Sequence, residues 1–479
     1  MESVNKLISL IVLVIGLVVI WRKPGNDEEV LRLETVISSL LQFEKNHVDR
    51  TSPKIAVGFG ACKDLFVTRS HMMEGVGFPE TVDNYLGVGN QEEMISMLGY
   101  FFQAGAAAER FVHDEAHWTR LLEAGEADPG ARWGLGGNAP VMAARFVKEG
   151  AKVLLGAKLS PGLTEWIPEG MDVAGGEVGE DDVHLIVEYK RQEEWDGVVS
   201  PRANRFIVHH DLNNPLVSSL EQFSASLPGF GPQLLVVGGL QMMDNFPFRE
   251  GQRLERVMGI RNLLESVDQD TLIHFEMASF VDSSLLSELT EHIIPQVDSV
   301  GMNEQELPNL EAMVTRGEVV AVADSNPRIA VMLDMMRTVF SKLSSKRPDG
   351  RPLTRLHLHT LAYQAVITTR DSAWVNSGAA AVKASLTAHR HVCADPEVRA
   401  EKSFLIMDEG FTVSQAPGAR RIPFDNNRPL TCWDEEELNI NICLAPVLVC
   451  SEAVQTAGGG DNISAAGLVV QIPGVTRGV

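Results

Sequence analysis

No C-x-x-C pair occurs among the five cysteines, Cys62, Cys393, Cys432, Cys443 and Cys450. That absence removes the usual zinc frameworks. Basic charge is also short: 41 lysines and arginines stand against 64 aspartates and glutamates, a formal charge of −23. So acidic a chain repels phosphate backbones and anionic lipid, which argues against nucleic acid as a partner. It leaves room for a phosphate held in a local pocket. Long apolar runs are missing outside the N-terminus, where Leu7 to Trp21 is unbroken between Lys6 and Arg22-Lys23. A membrane span needs roughly 20 residues, so this run is short. It suits the core of a signal peptide, yet no small-x-small cleavage site follows, and an uncleaved anchor is the alternative. The basic pair on the carboxyl side favours keeping that side cytosolic.

Residues 1–23 are therefore read as a signal peptide or uncleaved signal anchor, the sole expected contact with membrane. The expected location is the secretory pathway: the endoplasmic reticulum, lumenal or membrane-anchored, or outside the cell. There, one disulfide among the four C-terminal cysteines is expected, and the odd count leaves at least one thiol over. No internal repeat and no long low-complexity segment interrupts the chain.

What is present suits a folded enzyme. Over 479 residues, 44% are hydrophobic and 22% charged, enough for one large α/β domain with a lid, or two to three domains. Short apolar runs at Lys54–Gly60, Ala151–Ala157, Gln233–Leu240, Thr271–Met277, Arg355–Thr360 and Ala445–Cys450 read as strands separated by helical patterns. Near-continuous apolar strands predict a parallel sheet buried on both faces. Such sheets bind ligands beyond their carboxyl ends. Val183 to Asn214 alternates instead and predicts an antiparallel insertion, a candidate lid.

The strand ends carry acids. Glu276 follows one apolar run, and "NEQE", Asn303 to Glu306, follows another. The last run leads into "TAGGGDNISAAGL", residues 456–468, where three glycines precede Asp461. Two readings compete for that segment. It is a glycine turn with an aspartate cap, or an anion cradle with Asp461 as a general base. Glu276 is likewise a surface acid or a metal support. Asn303 and Glu306 are a helix cap and its third residue, or part of a site. Three acids converging on one sheet edge would repel unless a hard cation such as Mg²⁺ sat among them.

Elsewhere, "GGNA" at 136–139 opens a helix where Gly137 and Asn138 offer a polyol backbone and amide partners. "HLHT" places His357 and His359 on one strand face. A stacking or packing role fits them better than a metal pair with no third ligand nearby. Arg205, in "NRFIVHHD", is a phosphate clamp or a solvated arginine.

Taken in order, "GGNA", "NRFIVHHD" (204–211), "HFE" (274–276), "NEQE" and "GGGD" (458–461) resemble the ADP-dependent sugar kinases of the ribokinase-like superfamily, in particular the ADP-dependent glucokinases. The likeness spans roughly Lys54 to Val470. It implies a three-layer α/β/α large domain with a smaller β-rich lid, residues 50–479 in all, with lid segments within about 60–140 and 183–214. It implies transfer of the β-phosphoryl group of ADP to the 6-hydroxyl of D-glucose, giving AMP and glucose 6-phosphate, the first step of glycolysis, with Mg²⁺. By the same resemblance Asp461 is the base, and Gly458, Gly459 and Gly460 form the anion hole. Glu276, Glu306 and Asp461 support the metal. Arg205, Asn303, His359, Val447 and Val449 hold the nucleotide. Asp64, Glu109, Gly137, Asn138 and His210 hold the sugar. Many superfamily members carry another residue where Gly459 stands, which makes this loop more flexible without removing a donor.

Two alternatives stay open: a kinase of fructose 6-phosphate, and a catalytically silent membrane-tethered relative that binds sugar or nucleotide. The preference for ADP over ATP rests on the resemblance alone. A monomer is expected.

Overall fold

The structure is a computed structural model and describes residues 24–47, 52–320, 326–345 and 350–474. The apolar run at 7–21 lies outside the described residues. Among the described residues, no helix is long and apolar enough to cross a membrane.

The main sheet has ten strands. From Met171–Val173 at one edge it runs through Lys152–Gly156, Lys54–Gly58, Leu234–Val237, Leu272–Glu276 and Ser299–Asn303 to Arg355–His359, all parallel. Beyond these, Tyr363–Thr369, Ile440–Pro446 and Thr431–Glu435 continue it antiparallel. The expected all-parallel sheet is thus corrected at this edge. Arg355–His359 and Tyr363–Thr369 are joined by a short turn, and a short 3₁₀ turn joins Thr431–Glu435 to Ile440–Pro446. A parallel pairing would need a crossover of a dozen or more residues. The run Ala445–Cys450 also divides: its first two residues end the antiparallel strand, and Val449–Cys450 pairs separately with Ser403–Phe404.

Helices cover both faces, as continuous apolar strands require. One face buries Phe223, Ile260, Leu286, Leu310 and Leu333 against strand residues such as Val237 and Leu356. The other buries Phe146, Val382, Leu386 and Leu468 against Val57 and Leu155. Helix Pro24–His47 belongs to that second layer: Leu33, Val36, Ile37 and Leu40 are buried in it, and Glu44 pairs with Arg390 at 2.8 Å and Lys383 at 3.1 Å. The folded body therefore begins before residue 50.

A second, five-stranded sheet is ordered Ala108–Phe111, Asn204–His209, Val183–Tyr189, Cys62–Thr68, Arg132–Gly136. The alternation in Val183–Tyr189 and Asn204–His209 is that of an antiparallel pair, register His184↔His209. One face packs Leu65, Val67, Leu185, Val187 and Phe206 on helix Gln91–Ala104. The other turns Phe66, Ile186 and Ile207 to Ala457, directly before the triple glycine. The whole is a three-layer α/β/α sandwich carrying a smaller β-rich lid.

Two disulfides form, Cys393–Cys450 and Cys432–Cys443, where the sequence suggested one; Cys62 is buried and free. Spacing does not encode pairing. The bridges close loops of separation 57 and 11 residues. In a chain-entropy account these contribute about 4 and about 3 kcal/mol.

Candidate active site

Glu276, Asn303 and His359 are the last residues of three adjacent parallel strands. Helix Gly459–Val469 starts across from them. Its sequence explains its place: Ser464, Ala465, Ala466 and Gly467 are small and buried, and it packs on the alanines of helix Ser377–Val392. Gly458, at φ 67°, makes the left-handed turn that starts it. The first intrahelical bond runs from Asn462 N–H to the Gly458 carbonyl at 3.0 Å. The amides of Gly459, Gly460 and Asp461 therefore have no helical acceptor, and the positive end of the helix dipole lies there.

A cleft of about 860 Å³ opens in front of this helix start. Glu276, Glu306, Asp461, Asn138, Glu109, Arg205 and His359 all line it. The three acids do converge on one rim, but their carboxylates are used differently.

Asp461 is half-buried. Its Oδ1 accepts one hydrogen bond, from Asn138 Nδ2 at 2.9 Å. Burial pushes its carboxyl up to about 7, helped by the nearby Glu276 charge; Asn138, Arg205 and His359 partly offset this. Glu276 is engaged at both oxygens. Burial opposes its charge, but His274 Nε2 at 2.8 Å and His359 hold its carboxyl well below the usual range. Ser464 donates to its Oε1 at 2.8 Å, and His359 Nε2 lies 3.5 Å from the same atom. Glu306 accepts from the Asn303 N–H at 2.8 Å and Asn303 Nδ2 at 2.7 Å, while Asn303 Oδ1 accepts from the amides of Gln305 and Glu306. This is a reciprocal helix cap. The capping alternative for "NEQE" holds, and Asn303 has its side chain committed to it. Burial pushes Glu306 up to about 7.

His359 lies beneath the glycines, its Cε1 3.0 Å from where a Cβ on Gly460 would stand. Burial disfavours its charge, but Glu276, Glu306 and Glu304 hold its pKa up. It stands at the glycine end of the cleft, apart from an apolar slot in the same cleft. That slot is made by Val447, Val449, Ile463 and Ala388, with Leu361, Phe404 and Ile406 beside them. Arg205 reaches the cleft from the lid, and its Nε has no hydrogen-bond partner among the described residues. His357 is not a metal partner of His359: it is fully buried and bonds Gln364 Oε1 at 3.0 Å.

At the other end, register builds a polar cluster. Asp64 pairs with His184 across parallel strands, and His184 with His209 across the next. Burial pushes Asp64 up to about 6. Burial alone would lower His184, but Asp211 at 3.1 Å and Glu109 at 3.4 Å hold it up at about 10. Gly137, at φ 88°, caps helix Asn138–Lys148 with its backbone against the Gly60 carbonyl, where a Cβ would collide. That turn aims Asn138 at Asp461. His210 is not part of the cluster. Its Nδ1 bonds the Val112 carbonyl at 2.7 Å, and its ring stacks on Phe111. In "HHD" the resemblance could not say which histidine turned inward.

Two residues of the site escaped the sequence reading. His184 lay in a strand read only for its alternation. Gln241 follows strand Leu234–Val237, the position where ligand residues are expected, but a lone glutamine in "GGLQMM" makes no motif. Its Nε2 donates to Asn138 Oδ1 at 2.8 Å and Glu109 Oε2 at 3.3 Å.

The profile of the ADP-specific phosphofructokinase/glucokinase conserved region matches residues 53–470. An ADP-dependent glucokinase of Bos taurus is 31% identical over 421 residues, 87% of this chain and 84% of that protein. A probable ADP-dependent glucokinase of Caenorhabditis elegans is 27% identical over 477 residues, 94% and 92% of the two chains. Among solved structures, an ADP-dependent kinase in complex with fructose-6-phosphate and ADPβS superposes with a TM-score of 0.62 over 92% of this chain and 98% of that one, at 16% identity. That likeness concerns the fold alone.

Proposed function

The chain belongs to the ADP-specific phosphofructokinase/glucokinase family, and on that premise we propose that it phosphorylates D-glucose at the 6-hydroxyl, with ADP as donor and AMP as the second product. The observation that carries the mechanism is Asp461. Its carboxylate accepts from Asn138 and stands at a helix start whose first amides have neither a helical acceptor nor a side-chain cap among the described residues.

Adenine enters the apolar slot of Val447 and Val449, and the phosphates extend toward the glycines. The amides of Gly459 and Gly460 meet the transferring phosphoryl group, and Arg205 bonds it from the lid. The sugar lies against Asn138, Glu109 and Asp64, with its 6-hydroxyl toward Asp461. Asp461 takes the hydroxyl proton as the oxygen attacks the β-phosphorus in line and the bond to AMP breaks. Phe66, Ile186 and Ile207 of the lid sheet press on Ala457, so lid position and glycine position are coupled, and the closed lid excludes water as a competing acceptor.

A magnesium ion fits the donor set, which is hard oxygen throughout. Asp461 has free lone pairs, whereas Glu276 and Glu306 already accept from protein donors. They would hold the ion through water. When bound it neutralises phosphate charge.

Glucose is favoured over fructose 6-phosphate by the charge of the sugar end. Glu109 lines it, Asp64 stands buried in the same charged cluster, and Arg110 is spent on the Tyr85 and Glu109 carbonyls and Asn84. A second phosphate would meet acids there. Incubation with ADP or ATP, Mg²⁺ or EDTA, and glucose or fructose 6-phosphate tests all of this. AMP release with glucose, ADP and Mg²⁺ is expected. AMP formed only with fructose 6-phosphate, or with neither sugar, would overturn the assignment.

The proposed location is the secretory pathway, which the two disulfides and the N-terminal apolar run support. Denaturation without reduction should expose a single thiol, Cys62; five would place the protein in a reducing compartment. A monomer is proposed; a dimer in sedimentation at assay concentration would count against it.

A further inference from the structure

We propose that Gln241 is a positioning residue: its side-chain amide bridges Glu109 and Asn138 and fixes Asn138 with the NH₂ group turned to Asp461. This rests on the sugar-kinase reading of the site and adds a residue that neither the motifs nor the family resemblance supplied.

The argument is one of donors and acceptors. A carboxylate only accepts. Asp461 Oδ1 therefore requires the NH₂ side of Asn138, 2.9 Å away. That leaves Asn138 Oδ1 facing Gln241, whose Nε2 lies at 2.8 Å. The other neighbour of Nε2 is Glu109 Oε2, at 3.3 Å, again an acceptor. The two carboxylates at the ends dictate both amide orientations between them. The Gln241 carbonyl oxygen is buried and has no partner among the described residues, so none of them competes on that side to turn the amide. Gln241 is buried and sits in the 3₁₀ turn after strand Leu234–Val237, begun by Gly239 at φ 73°, so its backbone is held as well.

Without the Gln241 donor, Asn138 loses what distinguishes its two ends. Turned over, it would present an oxygen to the Asp461 carboxylate and push it from the acceptor hydroxyl. The effect belongs to the chemical step and to the sugar. The nucleotide slot of Val447 and Val449 is untouched.

A double-mutant cycle separates this from packing. Gln241→Met, similar in shape but without donors, should lower kcat about 10- to 100-fold and leave the KM for ADP within about twofold. Asn138→Ala should lower kcat at least as far. The double variant should be no worse than Asn138→Ala by more than about threefold, since Gln241 has then no Asn138 to orient. Multiplying losses in the double variant, or a kcat for Gln241→Met within twofold of wild type, would overturn the proposal. Gln241→Leu enters the same cycle should the methionine variant fail to bind ADP. Loss of ADP binding in both also overturns it. Wild-type protein inactive toward every sugar tested would instead sink the sugar-kinase reading.

Discussion

Two segments of this protein share one design and diverge in use. Asn303–Glu306 and Gly458–Asp461 each carry the chain into a helix at the ligand edge of the sheet, with an acid in the first turn. In the first, an asparagine stands where the turn needs a cap, and Glu306 closes back on it with both oxygens. In the second, glycines stand there, no side chain caps the helix, and Asp461 receives its one bond from Asn138, far away in sequence. A capped acid has a structural task. An acid beside uncapped amides is left with lone pairs, raised in pKa by burial, and free to meet a substrate. Glycine at a helix start here is a way of not satisfying the helix.

The sharpest way to break this comparison is to neutralise each acid. Asp461→Asn should lower kcat by about 10²- to 10⁴-fold, the usual range for losing a general base, with sugar affinity nearly intact. Glu306→Gln should keep kcat within about tenfold and instead lower stability by about 1 kcal/mol, as loss of a cap does, read as a drop of a few degrees in Tm. Equal kinetic losses in the two would erase the distinction. A smaller effect is expected at Arg205. Arg205→Ala should raise the KM for ADP about 10- to 100-fold, matching a charge-assisted hydrogen bond of about 1.5–3 kcal/mol; an unchanged KM would return it to the solvated-arginine reading. The smallest effect sharpens the sugar end. His210→Ala should leave glucose KM within about threefold, because its ring is spent on Val112 and Phe111, while His184→Ala should raise it about tenfold or more by releasing Glu109 and Asp211.

Much of this was legible in the sequence because it depends on local pattern. Apolar runs marked the strands. Alternation marked the lid pair. The acids after Thr271–His274, before the "NEQE" helix and after the triple glycine converge because a parallel sheet brings its carboxyl ends to one edge. What stayed hidden depends on pairing. A run such as Ala445–Cys450 has no direction until its partner is known. Cys393 and Cys450 are distant in sequence and meet only once the strands are placed. His184 becomes a site residue through its register with Asp64. The spacing of "NEQE" already offered Glu306 as part of a cap, but the bonds that engage Glu276 come from His274 and Ser464, and no spacing rule could reveal the second.

The central claim is that Asp461, half-buried at an uncapped helix start, is the base. Its carboxyl is pushed up to about 7, so the reactive ionised form is lost as pH falls through that value. The direct measurement is kcat/KM for glucose from about pH 5.5 to 8.5, in wild type and Asp461→Asn, with Tm followed at each pH. Wild type should lose about tenfold per unit below about pH 7, and the residual rate of Asp461→Asn should show no such limb. A wild-type profile flat down to about pH 5.5, or the same limb in both proteins, would contradict the account.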